Sequence, residues 1–161
     1  MTNSRRSPCR ARQRGLAARD LGAAARLITL DTSALHALLD RRDPDHARVL
    51  EELQRDSGPY IVPAGILAEL AYLVESRLGA AVMDAVLADL ESGAYSLDCG
   101  DEDMPRVRSL ASRYESLPLG YADAAVIACA ERNGGRVLTL DNRDFDVVAH
   151  EQAIVVLPGT R

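Results

Sequence analysis

The chain has 161 residues, 47% of them hydrophobic, and a formal net charge of −5, which suits one domain with a sizeable core. No apolar run reaches the roughly 18 residues that a membrane span needs, and the N-terminus lacks the apolar centre of a secretory signal, so the expectation is a soluble, cytoplasmic protein with no membrane partner. Three cysteines, Cys9, Cys99 and Cys129, fall at spacings that match no zinc or disulfide framework, which points to reduced thiols.

Charge is uneven along the chain. Residues 1–26 hold seven arginines and one acid, Asp20, for a sum of +6, whereas residues 27–161 carry 12 arginines and 23 acids and sum to −11. There is no lysine, so any mechanism that needs one is excluded. The first segment is rich in Arg, Ala, Ser and Gly and shows no apolar periodicity before Leu21, so residues 1–26 read as a disordered tail. A nucleic-acid-binding arm and a natural start near Leu27 are the alternatives.

The globular part, 27–161, opens on Leu27-Ile28-Thr29-Leu30-Asp31, a short apolar run that stops at a carboxylate. It reads as a buried parallel strand that delivers Asp31 to the carboxyl edge of a sheet, where open α/β folds keep their sites. Asp31 or Thr32 caps a helix to Leu39, and Asp43-Pro44 starts a second over Asp45 to Arg55. Ser57-Gly58-Pro59 turns into a strand, Tyr60-Ile61-Val62. Pro63 fits the first turn of a helix that runs to Leu78, and another follows from Ala80 to Ser92. Ala94 to Leu97 reads as the third strand, Asp101 to Glu115 and Tyr121 to Asn133 as helices, and Gly134-Gly135 as a stop. Arg136 to Leu140 and Ile154 to Leu157 complete five short strands among helices, an α/β sandwich on a parallel sheet.

Four acids stand out. Asp31 and Asp141 end strands. Glu69 lies in Ile66-Leu67-Ala68-Glu69-Leu70-Ala71-Tyr72-Leu73 with apolar neighbours at i−3, i+3 and i+4, where burial would be costly without a partner or a cation. Asp123 falls in the first turn of its helix, where capping alone accounts for an acid. Together, and with no lysine to neutralise them, the four suggest oxygen ligands for a divalent cation. Thr32, Ser33 and Thr139 either hydrogen-bond these carboxylates or serve as turn and cap hydroxyls. His36 reads as a helix-surface or dimer-contact residue, and Arg41, Arg42 and Arg143 are candidate phosphate contacts.

Leu30-Asp31-Thr32-Ser33-Ala34-Leu35, Ala68-Glu69-Leu70, Gly120-Tyr121-Ala122-Asp123-Ala124 and Leu138-Thr139-Leu140-Asp141 leading to Asp144-Phe145 occur in an order and spacing that resembles the PIN-domain ribonucleases, and within them the VapC toxins of bacterial toxin–antitoxin pairs. The resemblance covers Leu27 to Pro158. It implies a PIN-like three-layer sandwich with a parallel five-stranded sheet ordered 3-2-1-4-5 and Mg2+- or Mn2+-dependent endoribonuclease activity. It also implies homodimerisation, inhibition by a cognate antitoxin, and catalytic, metal-holding acids at Asp31, Glu69, Asp123 and Asp141. Asp144, one turn on, could share or take over the fourth position. A receiver domain would need the absent lysine, a dehalogenase-type phosphatase needs Asp-x-Asp-x-Thr, and nucleotide-binding folds need a glycine-rich loop after a strand, which is missing. The remaining rivals are a housekeeping PIN nuclease for RNA processing and a catalytically silent module that binds RNA or protein.

Overall fold

In the computed structural model, which describes residues 27–56, 58–115, 117, 119–151 and 154–159, the apolar run at the start of the globular part becomes β1 (Ile28–Leu30). The Arg-rich segment 1–26 lies outside the described residues. β1 pairs in parallel with β2 (Tyr60–Pro63) on one side and β4 (Arg136–Leu138) on the other. β3 (Ser96–Asp98) extends the sheet beyond β2 and β5 (Val155–Leu157) beyond β4, so the order is 3-2-1-4-5, as the resemblance implies. Ile28, Thr29 and Leu30 of β1, and Val137 and Leu138 of β4, are all buried, the signature of strands covered on both faces.

Among the described residues, seven helices supply that cover. α1 (Thr32–Leu39) and α2 (His46–Arg55) connect β1 to β2, while α3 (Leu67–Arg77) and α4 (Ala80–Ser92) connect β2 to β3. α5 (Met104–Arg113) and α6 (Tyr121–Arg132) return the chain from the β3 edge to β4, and α7 (Asn142–Glu151) leads to β5. The first two crossovers step one way across the sheet and the last two step back, so with right-handed connections the two groups of helices fall on opposite faces. α6 is the innermost: Ala124 to Ala130 are seven consecutive buried residues, four of them alanines, and their small side chains let the helix lie close on β1, β2 and β4. Among the described residues no helix is long and apolar enough to cross a membrane.

Three features differ from the sequence expectation. The helix expected from Pro63 begins as a 3-10 turn, Ala64–Ile66, because Gly65 packs flush on α6: a Cβ there would stand 2.7 Å from the Ala125 Cβ. α7 occupies a stretch where no helix was expected. Its core contacts reduce to Phe145 and Val148, three residues apart, with Asp144 buried beside them. Cys99 is disulfide-bonded, whereas Cys129 keeps a buried free thiol that desolvation pushes up to about 12. Sequence spacing does not reveal which sulfurs a fold brings together.

The far end of α6 is fixed by charge. Arg132 donates through Nε and Nη2 to the two Asp103 oxygens, each at 2.9 Å, and through Nη2 to Asp98 Oδ1 at 2.7 Å. Both acids are buried, and these bonds with the Gly100 N–H outweigh desolvation to hold the Asp98 carboxyl below its usual value.

Candidate active site

Asp31 follows β1 at the carboxyl edge of the sheet and caps α1. Its Oδ2 accepts from the Ser33 backbone N at 3.4 Å and from Ser33 Oγ at 2.6 Å. A third donor, Thr139 Oγ1, arrives from the end of β4 at 2.8 Å. The same two hydroxyls accept from the backbone of the next loop, Ser33 Oγ from the Leu140 N at 2.9 Å and Thr139 Oγ1 from the Asp141 N at 3.0 Å. Two short side chains thus tie the ends of the central strands together and fix the Asp31 carboxylate. All its hydrogen bonds among the described residues go to Oδ2, so Oδ1 is left open.

Glu69 stands in the first turn of α3, where its Oε2 accepts from Thr32 Oγ1 at 3.1 Å. The apolar stripe expected around it is only half real. Ile66 is buried, but Glu69 is exposed and Tyr72 has 73% of its surface in solvent. This turn of α3 is therefore open at the cleft, and Glu69 faces it without the cost of deep burial.

Asp123 is the third residue of α6, and its Oδ2 accepts from the N-cap Gly120 N at 2.9 Å, half of a capping box, since glycine has no side chain to return the bond. Capping does not exhaust its environment. Burial pushes its carboxyl up to about 6; the Gly120 N–H opposes the rise, and the charges of Asp31, Asp141 and Glu69 add to it. Those three acids thus lie close enough to Asp123 for their fields to be felt. Asp141, just past β4, is exposed, yet partial burial of its carboxyl and the charges of Asp144 and Asp31 raise it too. Asp144 is the more deeply buried of the pair, and its Oδ1 has no hydrogen-bond partner, with Arg143 Nε 4.0 Å away.

The PIN domain family model matches residues 28–151. The chain belongs to the PIN-domain family. It is 38% identical over 123 residues to Ribonuclease VapC26 of Mycobacterium tuberculosis (strain ATCC 25618 / H37Rv), a match covering 75% of this chain and 91% of that one. Its fold resembles the crystal structure of Mycobacterium tuberculosis VapC20, described as a Sarcin-Ricin loop cleaving toxin, with a TM-score of 0.65 and 21% identity over 74% of this chain and 94% of the other. It also resembles VapBC2 from Rickettsia felis bound to a DNA fragment from its promoter, with a TM-score of 0.61 and 15% identity over 81% of this chain and 96% of that one.

This PIN domain draws its acids from four separated segments: the ends of β1 and β4 and the first turns of α3 and α6. The hydroxyls of Thr32, Ser33 and Thr139 all hold carboxylates. His36 is half-buried, with its Nε2 buried and without a hydrogen-bond partner. Arg42 lies on the surface, paired at 3.2 Å with Asp40. Among the described residues no three or more His, Cys, Asp or Glu side chains are gathered closely enough to hold a metal ion as they stand. Sequence reasoning did not single out Asn142, whose Oδ1 is also buried without a partner at the start of α7; its signal was position alone, one residue past Asp141.

Proposed function

We propose that this PIN domain is a Mg2+- or Mn2+-dependent endoribonuclease that cleaves RNA phosphodiester bonds and serves as the toxin of a toxin–antitoxin pair. The observation that carries the reading is the gathering of Asp31, Glu69, Asp123 and Asp141 from four segments at one edge of the sheet, close enough that the charges of the other three add to the rise that burial gives the Asp123 carboxyl. The kinship with Ribonuclease VapC26 supports it independently.

The residues fit a hard divalent cation. The donors are all carboxylate oxygens, and Asp31 Oδ1, Asp123 Oδ1 and Glu69 Oε1 accept no hydrogen bond among the described residues, so each keeps an oxygen to offer. An arrangement looser than a closed cage suits Mg2+, which retains several waters and takes one or two carboxylates directly. Asp31 and Asp123 would hold the ion, with Glu69 and Asp141 completing the shell and Asp144 in reserve beside Asp141. When bound, the ion would neutralise charge at phosphorus, lower the pKa of a water and stabilise the leaving oxygen. The chain's own part is placement. Ser33 and Thr139 fix Asp31, Thr32 orients Glu69, and the Gly120 N–H fixes Asp123. Glu69 and Asp141, the more exposed acids, are placed to orient the attacking water.

A cognate antitoxin and a second copy of the chain are the expected protein partners, in a cytoplasmic setting. The decisive test is cleavage of RNA by purified protein with Mn2+ and with EDTA, alongside Asp31→Asn and Asp123→Asn. Each substitution removes a charge without removing volume, so each should abolish cleavage and leave the fold intact. Near-wild-type cleavage by either variant would sink the assignment, and a wild type inert toward RNA would favour the silent module. A small antitoxin gene immediately upstream would separate the toxin from a housekeeping nuclease.

A further inference from the structure

All six aromatic residues of the chain lie in its described part, and four are buried or half-buried: Phe145, Tyr114, Tyr60 and Tyr95. The two exposed rings are Tyr72, at 73%, and Tyr121, at 54%. Both stand beside candidate catalytic acids. Tyr72 lies one turn beyond Glu69 on the same face of α3, and helical side chains lean toward the N-terminus, so its exposed ring is directed toward the Glu69 turn. Tyr121 opens α6 two residues before Asp123. Side chains two apart on a helix diverge, so Tyr121 borders the acids on the α5 side rather than facing them.

Tyr121 also forms one wall of a shallow groove. Its ring lies over the 3-10 turn, 3.5 Å from where a Gly65 Cβ would be, and Met104, 47% exposed, lines the same groove with Ala64, Gly100 and the two acids held by Arg132, Asp98 and Asp103. The groove is too shallow to enclose a base, so what it offers is the exposed Tyr121 ring and the Met104 side chain beside it, apolar surface on which a planar ring can stack. Among the described residues, most of the positive charge that could hold a phosphate backbone is already committed. Eight of the eleven described arginines are already ion-paired with acids. Grip on a nucleic acid must then come in good part from the bases, and stacking on aromatic side chains is how unpaired RNA is held.

We infer that the Tyr121 groove is a nucleobase subsite for the nucleotide next to the scissile phosphate, with Tyr72 as a second stacking platform beyond Glu69. The inference rests on the nuclease reading and adds to it that the strand is gripped by unstacked bases on both sides of the acids.

The test compares wild type, Tyr121→Phe, Tyr121→Leu and Tyr72→Leu on a short labelled RNA spanning a mapped cleavage site, and on the same RNA made abasic beside that site. Leucine keeps apolar volume and removes the aromatic face. Tyr121→Leu should raise KM about tenfold on the intact RNA, with Tyr121→Phe close to wild type. The abasic RNA should cost wild type a similar factor and Tyr121→Leu little more. Equal KM values for wild type and Tyr121→Leu, or a loss of the same size on both RNAs, would overturn the subsite. So would a change of oligomeric state in Tyr121→Leu with RNA affinity preserved, since the ring would then serve a protein interface. Binding of the same RNA in Ca2+, read by anisotropy, keeps the two readings apart. Binding that depends on Tyr121 without cleavage in Mn2+ would refute the nuclease and support the subsite, whereas cleavage indifferent to Tyr121 would do the reverse.

Discussion

Replacing Asp123 with Asn should make the metal-free protein more stable. The carboxyl sits near 6 against an ordinary 3.8, pushed there by burial and by the neighbouring acids. A displacement of about two pKa units corresponds to about 3 kcal/mol of unfavourable charging, and solvent screening of a partly open group reduces this to about 1–2 kcal/mol. Asn keeps an oxygen for the Gly120 N–H and caps nearly as well as Asp, so that bond survives. For a chain of this size the gain should raise the melting temperature by about 3–6 °C in EDTA at neutral pH. The sign with pH follows from linkage. Between about pH 4 and pH 6 the folded state retains a proton that the unfolded chain releases, so wild type loses stability as pH rises through that window. The variant lacks this loss, and its advantage should be complete above pH 6 and vanish near pH 4. Mn2+ should raise the wild-type midpoint and move the variant's much less, because a ligand that binds only the folded state stabilises it. Differential scanning fluorimetry across pH, with EDTA and with Mn2+, supplies every comparison. Equal melting of the two proteins in EDTA at pH 7.5, or a difference unchanged at pH 4, would refute the electrostatic argument.

Thr139→Val removes the donor to Asp31 and the acceptor of the Asp141 N–H from a fully buried position, so it should cost about 1–3 kcal/mol in urea unfolding and reduce kcat more than KM. Gly65→Ala forces a methyl group against Ala125 and should destabilise by about 1–3 kcal/mol, read by chemical denaturation. Arg132→Ala strands Asp98 and Asp103 as buried carboxylates and should cost about 3–5 kcal/mol, an effect that shrinks at low pH as they protonate. Deleting residues 1–26 should leave cleavage unchanged; if the tail is instead an RNA-binding arm, deletion will flatten the salt dependence of binding, because up to about seven phosphate contacts disappear.

The parallel sheet was readable because the runs Leu27–Asp31 and Arg136–Asp141 are mostly apolar and each stops at an aspartate. α7 was not, since only Phe145 and Val148 mark its core face and its acidic start looks like loop. The 3-10 turn depends on Gly65 meeting Ala125, a contact across 60 residues that no local pattern encodes. Glu69 was noticed for a partly mistaken reason. Burial was the expected oddity, but its helix face is open, and the apolar Tyr72 next to it belongs to the surface. The contrast between Asp141 and Asp144 was equally invisible, because one residue's drop into the core depends on how α7 seats against β5.

The strand order also governs timing. β1 is made early and occupies the middle of the sheet, but the hydroxyl that holds Asp31 belongs to Thr139, and Asp141 follows it, more than a hundred residues later. A nascent chain emerging from its N-terminus carries the first acid long before β4 exists to pair beside it. No fragment ending before β4 can assemble the cleft. The cleft is complete only when the last third of the chain has folded into place.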